Sequence, residues 1–228
     1  MITKTTNDKL DDKIEINNGE NTMTKIAALD LDKVTFDKSP NQSARSGKVE
    51  YIVLHHTGPG STKGIVSWLK NPVSSASAHF VLGTDGELVC LVDTSQKSWH
   101  AGKSSWEGKN DINKFSVGIE ICNCGIIDKK PDGFYYMVGT KPTKYTGTVS
   151  PVEGEIVYPD GKKTKGWFVP YPDEQIEKLV ALCKALVAKY PAIVEKNIIT
   201  HYMIAQPFGR KNDPFGLNID EIKDMIFK

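Results

Sequence analysis

Five histidines are the residues around which any chemistry in this chain would be built: His55, His56, His79, His100 and His201. A lone histidine is usually a satisfied polar residue. His55 and His56, however, end an apolar run and are followed by Thr57-Gly58-Pro59-Gly60, and loops at the ends of core strands carry function. The segment HYMIAQPFGRKND, His201 to Asp213, brings a histidine, a lysine and an aspartate within thirteen residues. Catalytic zinc commonly takes three nitrogen, oxygen or sulfur ligands and leaves a fourth position open. His55, His201 and Asp213 are the right types for such a site, drawn from separate parts of the chain. A solvated loop accounts for the same spacing, and spacing alone leaves both readings open.

Those residues need elements to position them. VEYIVLHH reads as a core strand with Tyr51, Val53 and His55 on one face and Ile52, Leu54 and His56 on the other. AHFVLG and ELVCLVD flank Thr84-Asp85-Gly86, a hairpin signature. FSVGIEIC places Val117, Ile119 and Ile121 on one face and Glu120 with Cys122 on the opposite one. Residues 125–172, rich in Gly, Pro, Lys, Thr and Tyr, read as a β-rich insertion, and a short helix is expected around 64–69. Ile176, Leu179, Val180, Cys183, Leu186, Val187 and Tyr190 follow helical spacing, which predicts a helix from Asp173, as N-cap, to Tyr190. A second helix is expected from Asn218, with Glu221 completing a capping box. The fold class expected is α/β: a single domain with a central mixed sheet flanked by helices. Residues 1–45, mostly Asn, Asp, Lys, Thr and Ser apart from an apolar patch at 26–31, read as a polar arm packed only locally, with the domain proper over 46–228.

Composition narrows the function classes. The 228 residues carry 29 Lys and Arg against 28 Asp and Glu, a net charge of +1, which offers no basic surface for nucleic acid. No apolar stretch approaches the roughly 18 residues of a membrane span, so no membrane insertion is expected. The first 30 residues lack the pattern of a secretory signal, which predicts cytoplasmic synthesis. The four cysteines form no CxxC pair and read as reduced thiols. A monomer is the expected state.

Four motifs, YIVLHHTG, SAHFVLGTDGELVCLVD, SWHAGKSSWEGKNDINKFSVGIEI and ITHYMIAQPFGRKNDP, together resemble the zinc-dependent N-acetylmuramoyl-L-alanine amidases of the type 2 amidase and peptidoglycan-recognition-protein superfamily. Order and spacing agree over roughly residues 48–226. The resemblance implies one zinc ion per chain held by His55, His201 and Asp213, with Glu120 as the catalytic acid and Lys211 as the catalytic lysine. Some relatives place a tyrosine before the SAHF histidine; Ala78 stands there, which leaves the proton work to Glu120. His56, His79, Trp99 and His100 are expected to contact substrate, His56 or His79 otherwise lying behind the metal.

Amide hydrolysis suits that set. Zinc makes water nucleophilic and polarises a carbonyl, a carboxylate moves the proton, and a fixed cation stabilises the oxyanion. The resemblance implies peptidoglycan or a muropeptide as substrate. The insertion is similar to one in phage lytic amidases, which points to an endolysin released to the wall through a holin. A cytoplasmic enzyme recycling wall fragments and a non-catalytic peptidoglycan-binding module are the alternatives. A zinc peptidase is disfavoured by the absence of HExxH.

Overall fold

The computed structural model describes residues 26–228. Six strands form the central sheet in the order Thr35–Phe36, Leu88–Cys90, Phe80–Leu82, Ser116–Ile121, Tyr51–His56 and Ile198–Thr200. Neighbours run parallel except Phe80–Leu82 with Leu88–Cys90, the expected hairpin, where Gly86 adopts φ +76° in the turn. Parallel strands buried on both faces need continuous apolar runs. YIVLHH supplies one, buried from Tyr51 through His55.

Helices cover both faces of this mixed sheet. Helix α1 spans Thr62–Lys70, α2 Asp173–Lys189, α3 His201–Ile204 and α4 Ile219–Phe227. On one face Ile52, Leu54, Val117, Ile119 and Ile121 pack with Leu179, Cys183 and Leu186 of α2 and Ile222 of α4. On the other, Tyr51 and Val53 join Ala101, Ile112, Ile199 and Ile204, while Val66 and Leu69 of α1 meet Val81 and Val89. His55 and Glu120, alternating with these, fall on the second face.

The ends of α2 and α4 separate two kinds of start. Asn218 caps α4: its Oδ1 accepts from the Glu221 N–H at 3.3 Å and its amide donates to Glu221 Oε2 at 3.2 Å. At α2 the N-cap is Pro172, and the expected cap Asp173 is instead the first helical residue. There Asp173 and Glu174 act on the positive end of the helix dipole.

The 125–172 segment is β-rich as expected. Asp128–Lys130, Gly133–Val138 and Lys141–Lys144 form one antiparallel sheet, and Val152–Val157 pairs with Lys163–Phe168. Ile156, Tyr158 and Phe168 pack on Phe215, so the insertion backs the loop that carries Asp213.

Residues 26–45 correct the reading of an arm packed only locally. Ile26, Leu29, Leu31 and Val34 pack against the main core, and the Leu29 N–H donates to the Ala181 carbonyl at 3.2 Å. Asn41 is buried, its amide donating to the carbonyls of Leu69, Asn71 and Ala76. Arg45 reaches four carbonyls, those of Asn113, Lys114, Gln96 and Ser116. Their polarity, which suggested solvent, is spent on buried backbone acceptors. The remainder of the expected arm, residues 1–25, lies outside the described residues.

Candidate metal centre

Strand register assembles the site. The Cα partner of His55 is Glu120, which puts the two on the same face of adjacent parallel strands. Ile198, Ile199 and Thr200 pair with Ile52, Val53 and Leu54, so the next residue, His201, emerges beside His55. Three neighbouring parallel strands thus deliver Glu120, His55 and His201 at their carboxyl ends, where ligands of open α/β sheets usually lie. His201 therefore follows a sheet strand and opens the one-turn α3.

Asp213 comes from the loop after α3, which is clamped in place. The Tyr202 N–H donates to the Asp213 carbonyl at 3.0 Å, the Phe215 N–H to His56 Nδ1 at 3.2 Å and Tyr171 Oη to the Phe215 carbonyl at 3.1 Å. Arg210 ties the same loop to the Ala101–Lys103 segment through the Lys103 carbonyl at 2.9 Å.

His55 Nδ1, His201 Nδ1 and Asp213 Oδ2 converge: 3.0 Å between the nitrogens, and 3.1 and 2.9 Å from them to the carboxylate oxygen. All three residues are buried, at 1, 3 and 7% exposure. Three donors bonded at about 2.0–2.1 Å to one tetrahedral centre stand roughly 3.3 Å apart, so the cluster has the dimensions of an ion's coordination shell. The donor chemistry fits too. His201 Nε2 faces the Ala101 carbonyl at 3.1 Å and must donate to it, which leaves Nδ1 as a lone pair toward the cluster.

Electrostatics point the same way. Burial, with His201 adjoining, depresses His55 to about 4, so its imidazole is neutral at pH 7. Burial alone would raise Asp213, but the adjoining His201 and His55 outweigh it and hold the carboxyl well below the usual range. Burial followed by repulsion from Asp213 pushes Glu120 well above the usual carboxylate range, against the Lys211 cation. A carboxyl whose pKa is raised in this way suits proton transfer. Lys211 is exposed, and its charge acts on both Glu120 and His55.

The residues expected to contact substrate are placed differently from one another. Trp99 is half-buried, its indole donating to Ser43 Oγ at 3.2 Å. His56 projects to the opposite face of its strand from His55, under the Asp213 loop, its ring over Gly125, where a Cβ would approach to 2.4 Å. His79 is fully buried: its Nδ1 faces Ser98 Oγ at 2.7 Å and accepts from the Gly118 N–H at 2.9 Å. His100 is buried behind His55, its Nδ1 2.9 Å from His55 Nε2. The positions of His79 and His100 therefore do not meet the expectation of substrate contact. Sequence reading missed Ser116, the Ala101 carbonyl and Arg45. The glycine inside the strand VGIE, a mark of close approach, was the available hint of a ring packed there. A cavity of about 1250 Å³ is lined by α2, α4, Phe168, Pro170 and Tyr171 and by none of these site residues.

Known proteins resemble this chain in sequence and in fold. The chain is 33% identical over 138 residues to 1,6-anhydro-N-acetylmuramyl-L-alanine amidase AmpD of Enterobacter cloacae, covering 60% of this chain and 50% of that protein. It thus spans about half the length of that relative. The crystal structure of AmpDh3 from Pseudomonas aeruginosa with anhydromuramic pentapeptide superposes with a TM-score of 0.55 at 25% identity, covering 87% of this chain and 66% of that one. A mutant endolysin from Bacillus subtilis shares the fold, with a TM-score of 0.53 at 21% identity and coverage of 85% and 97%. The sequence pattern described as N-acetylmuramoyl-L-alanine amidase matches residues 45–216, enclosing every strand end and loop of the site, and the chain belongs to that family.

Proposed function

We propose that the chain is a zinc-dependent hydrolase of the amide bond between N-acetylmuramic acid and the L-alanine of peptidoglycan. The observation that carries this is the convergence of His55 Nδ1, His201 Nδ1 and Asp213 Oδ2 beside Glu120, in a chain of this family. Zinc bound by those three residues would supply Lewis acidity, activating water and polarising an amide carbonyl. Glu120 accepts the proton of the attacking water and returns it to the departing alanine nitrogen, a task for which its raised pKa suits it. The Lys211 ammonium stabilises the oxyanion. Burial keeps His55 neutral so that it binds through a lone pair, and Ala101 and Arg210 hold His201 and the Asp213 loop in position.

The lytic role is the reading we favour, on the β-rich insertion. The recycling role has its own support, since the E. cloacae relative is named for 1,6-anhydromuramyl substrates and the P. aeruginosa structure holds an anhydromuramic pentapeptide. Digestion of intact sacculi beside soluble anhydromuropeptide, followed by mass spectrometry, separates them. The amidase reading requires free stem peptides with L-alanine amino termini and intact glycan strands. New reducing ends, new termini within the stem, or binding without products would refute it. Cleavage of soluble muropeptide but not of sacculi would assign recycling.

A further inference from the structure

We propose that His100 is a positioning residue: it holds His55 in the tautomer that carries its proton on Nε2 and so leaves Nδ1 bare. The inference rests on reading the His55, His201 and Asp213 cluster as a metal centre.

A chain of hydrogen bonds starts at a backbone carbonyl and runs inward. The Ile112 carbonyl can only accept, so Ser116 Oγ, 2.8 Å away, spends its one proton there. Ser116 Oγ also lies 3.0 Å from His100 Nε2 and, with no proton left, must accept from it. A neutral imidazole with its proton on Nε2 presents a lone pair at Nδ1. His100 Nδ1 stands 2.9 Å from His55 Nε2, so His55 is the donor and keeps its proton on that nitrogen. Its Nδ1 is then bare, 3.0 Å from His201 Nδ1 and 3.1 Å from Asp213 Oδ2.

This relay works against a competitor. Left to itself, His55 would place its proton on Nδ1 and donate to the Asp213 carboxylate, a charge-assisted bond. That tautomer closes the nitrogen to a metal. His201 solves the same problem by the common device of a direct carbonyl partner, Ala101. His55 reaches its carbonyl through two intermediate groups. The His100 ring is fixed for the purpose: Asn113 Oδ1 accepts from its backbone N–H at 3.1 Å, and a Cβ on Gly118 would lie 2.4 Å from its Cγ. The missing side chain at Gly118 is the space the ring fills.

The test uses the full chain, with ¹⁵N-labelled histidine, in the metal-free state. Long-range proton–nitrogen correlation spectra read which nitrogen of His55 carries the proton, and titration against a chromophoric chelator reads the affinity for zinc. His100→Phe keeps the ring but cannot accept. It is expected to move the His55 proton to Nδ1 and weaken zinc binding about 10–100-fold, the usual effect of losing an outer-shell partner. His100→Asn, whose side-chain oxygen can stand in for Nδ1, should recover most of both. Ser116→Ala removes the far end of the relay and should act in the same direction, which keeps the test decisive if His100→Phe does not fold. A proton on His55 Nδ1 in the unaltered chain, or an unchanged His55 tautomer in the folded variants, overturns the proposal. If the unaltered chain binds no zinc, the metal reading fails instead, and the tautomer spectra still decide the relay.

Discussion

Replacing Arg45 with methionine tests whether the stretch before residue 46 belongs to the folded domain. The guanidinium donates to the carbonyls of Asn113 and Lys114 at 3.2 and 3.1 Å and to those of Gln96 and Ser116 at 2.6 and 3.0 Å. Hydrogen bonds to a charged group are worth about 1.5–3 kcal/mol each, or roughly 6–12 for four. Against this stand several kcal/mol for desolvating the ion and about 1–3 for its buried Nε, which has no partner among the described residues. Methionine keeps the aliphatic packing and removes both sides of that balance. The Gln96 carbonyl retains His79 Nε2 at 3.1 Å, so the loss concentrates on Asn113, Lys114 and Ser116. At about 1 kcal/mol for each under-served carbonyl, Arg45→Met should cost roughly 2–4 kcal/mol. For a chain of this size that lowers Tm by roughly 4–16 °C. Lys38→Met removes the same charge from an exposed site in the same stretch and should stay within about 0.5 kcal/mol. Thermal and urea unfolding of the two variants side by side are the assay. Equal stability would refute the reasoning and restore the polar-arm view.

Three further outcomes are expected. His201→Ala should lose both zinc and activity, with the unaltered chain holding one zinc per molecule by elemental analysis and its activity abolished by a chelator and restored by zinc. Glu120→Gln should fold and bind zinc normally yet turn over at least about a hundredfold more slowly, and Lys211→Ala should lose roughly 10²–10³-fold; full activity in either would remove that residue from the mechanism. Burial, aided by Arg45, depresses His79 from the usual 6.5 to about 3, so between those values the unfolded chain binds a proton that the folded chain refuses. Its stabilising effect is therefore complete above pH 6.5 and lost progressively as pH falls toward 3, by up to about 1.4 kcal/mol per pH unit, and His79→Gln should flatten the acid limb of stability against pH.

Features that depend on neighbours along the chain are legible in the residues alone. The alternation in YIVLHH and FSVGIEIC assigned His55 and Glu120 to faces. The Asp-Gly turn marked a hairpin, and Asn218 with Glu221 marked a helix start. Each signal arises from a local dihedral preference or a side-chain period, so it survives without knowledge of the fold. The ligand types His55, His201 and Asp213 were legible as well, but their convergence was not. It depends on which strands pair and in what register, and nothing local says that His55 will sit across from Glu120 or that Thr200 will align with Leu54. His100 makes the same point: its partner His55 lies 45 residues away, and a histidine next to a tryptophan in sequence is as consistent with a substrate contact as with a buried relay. Asn41 and Arg45 misled for a related reason. Composition counts donors without saying where they go, and here they go to buried carbonyls supplied by distant loops. Only the tertiary structure decides that, because a hydrogen bond's free energy depends on whether water or protein occupies the other end.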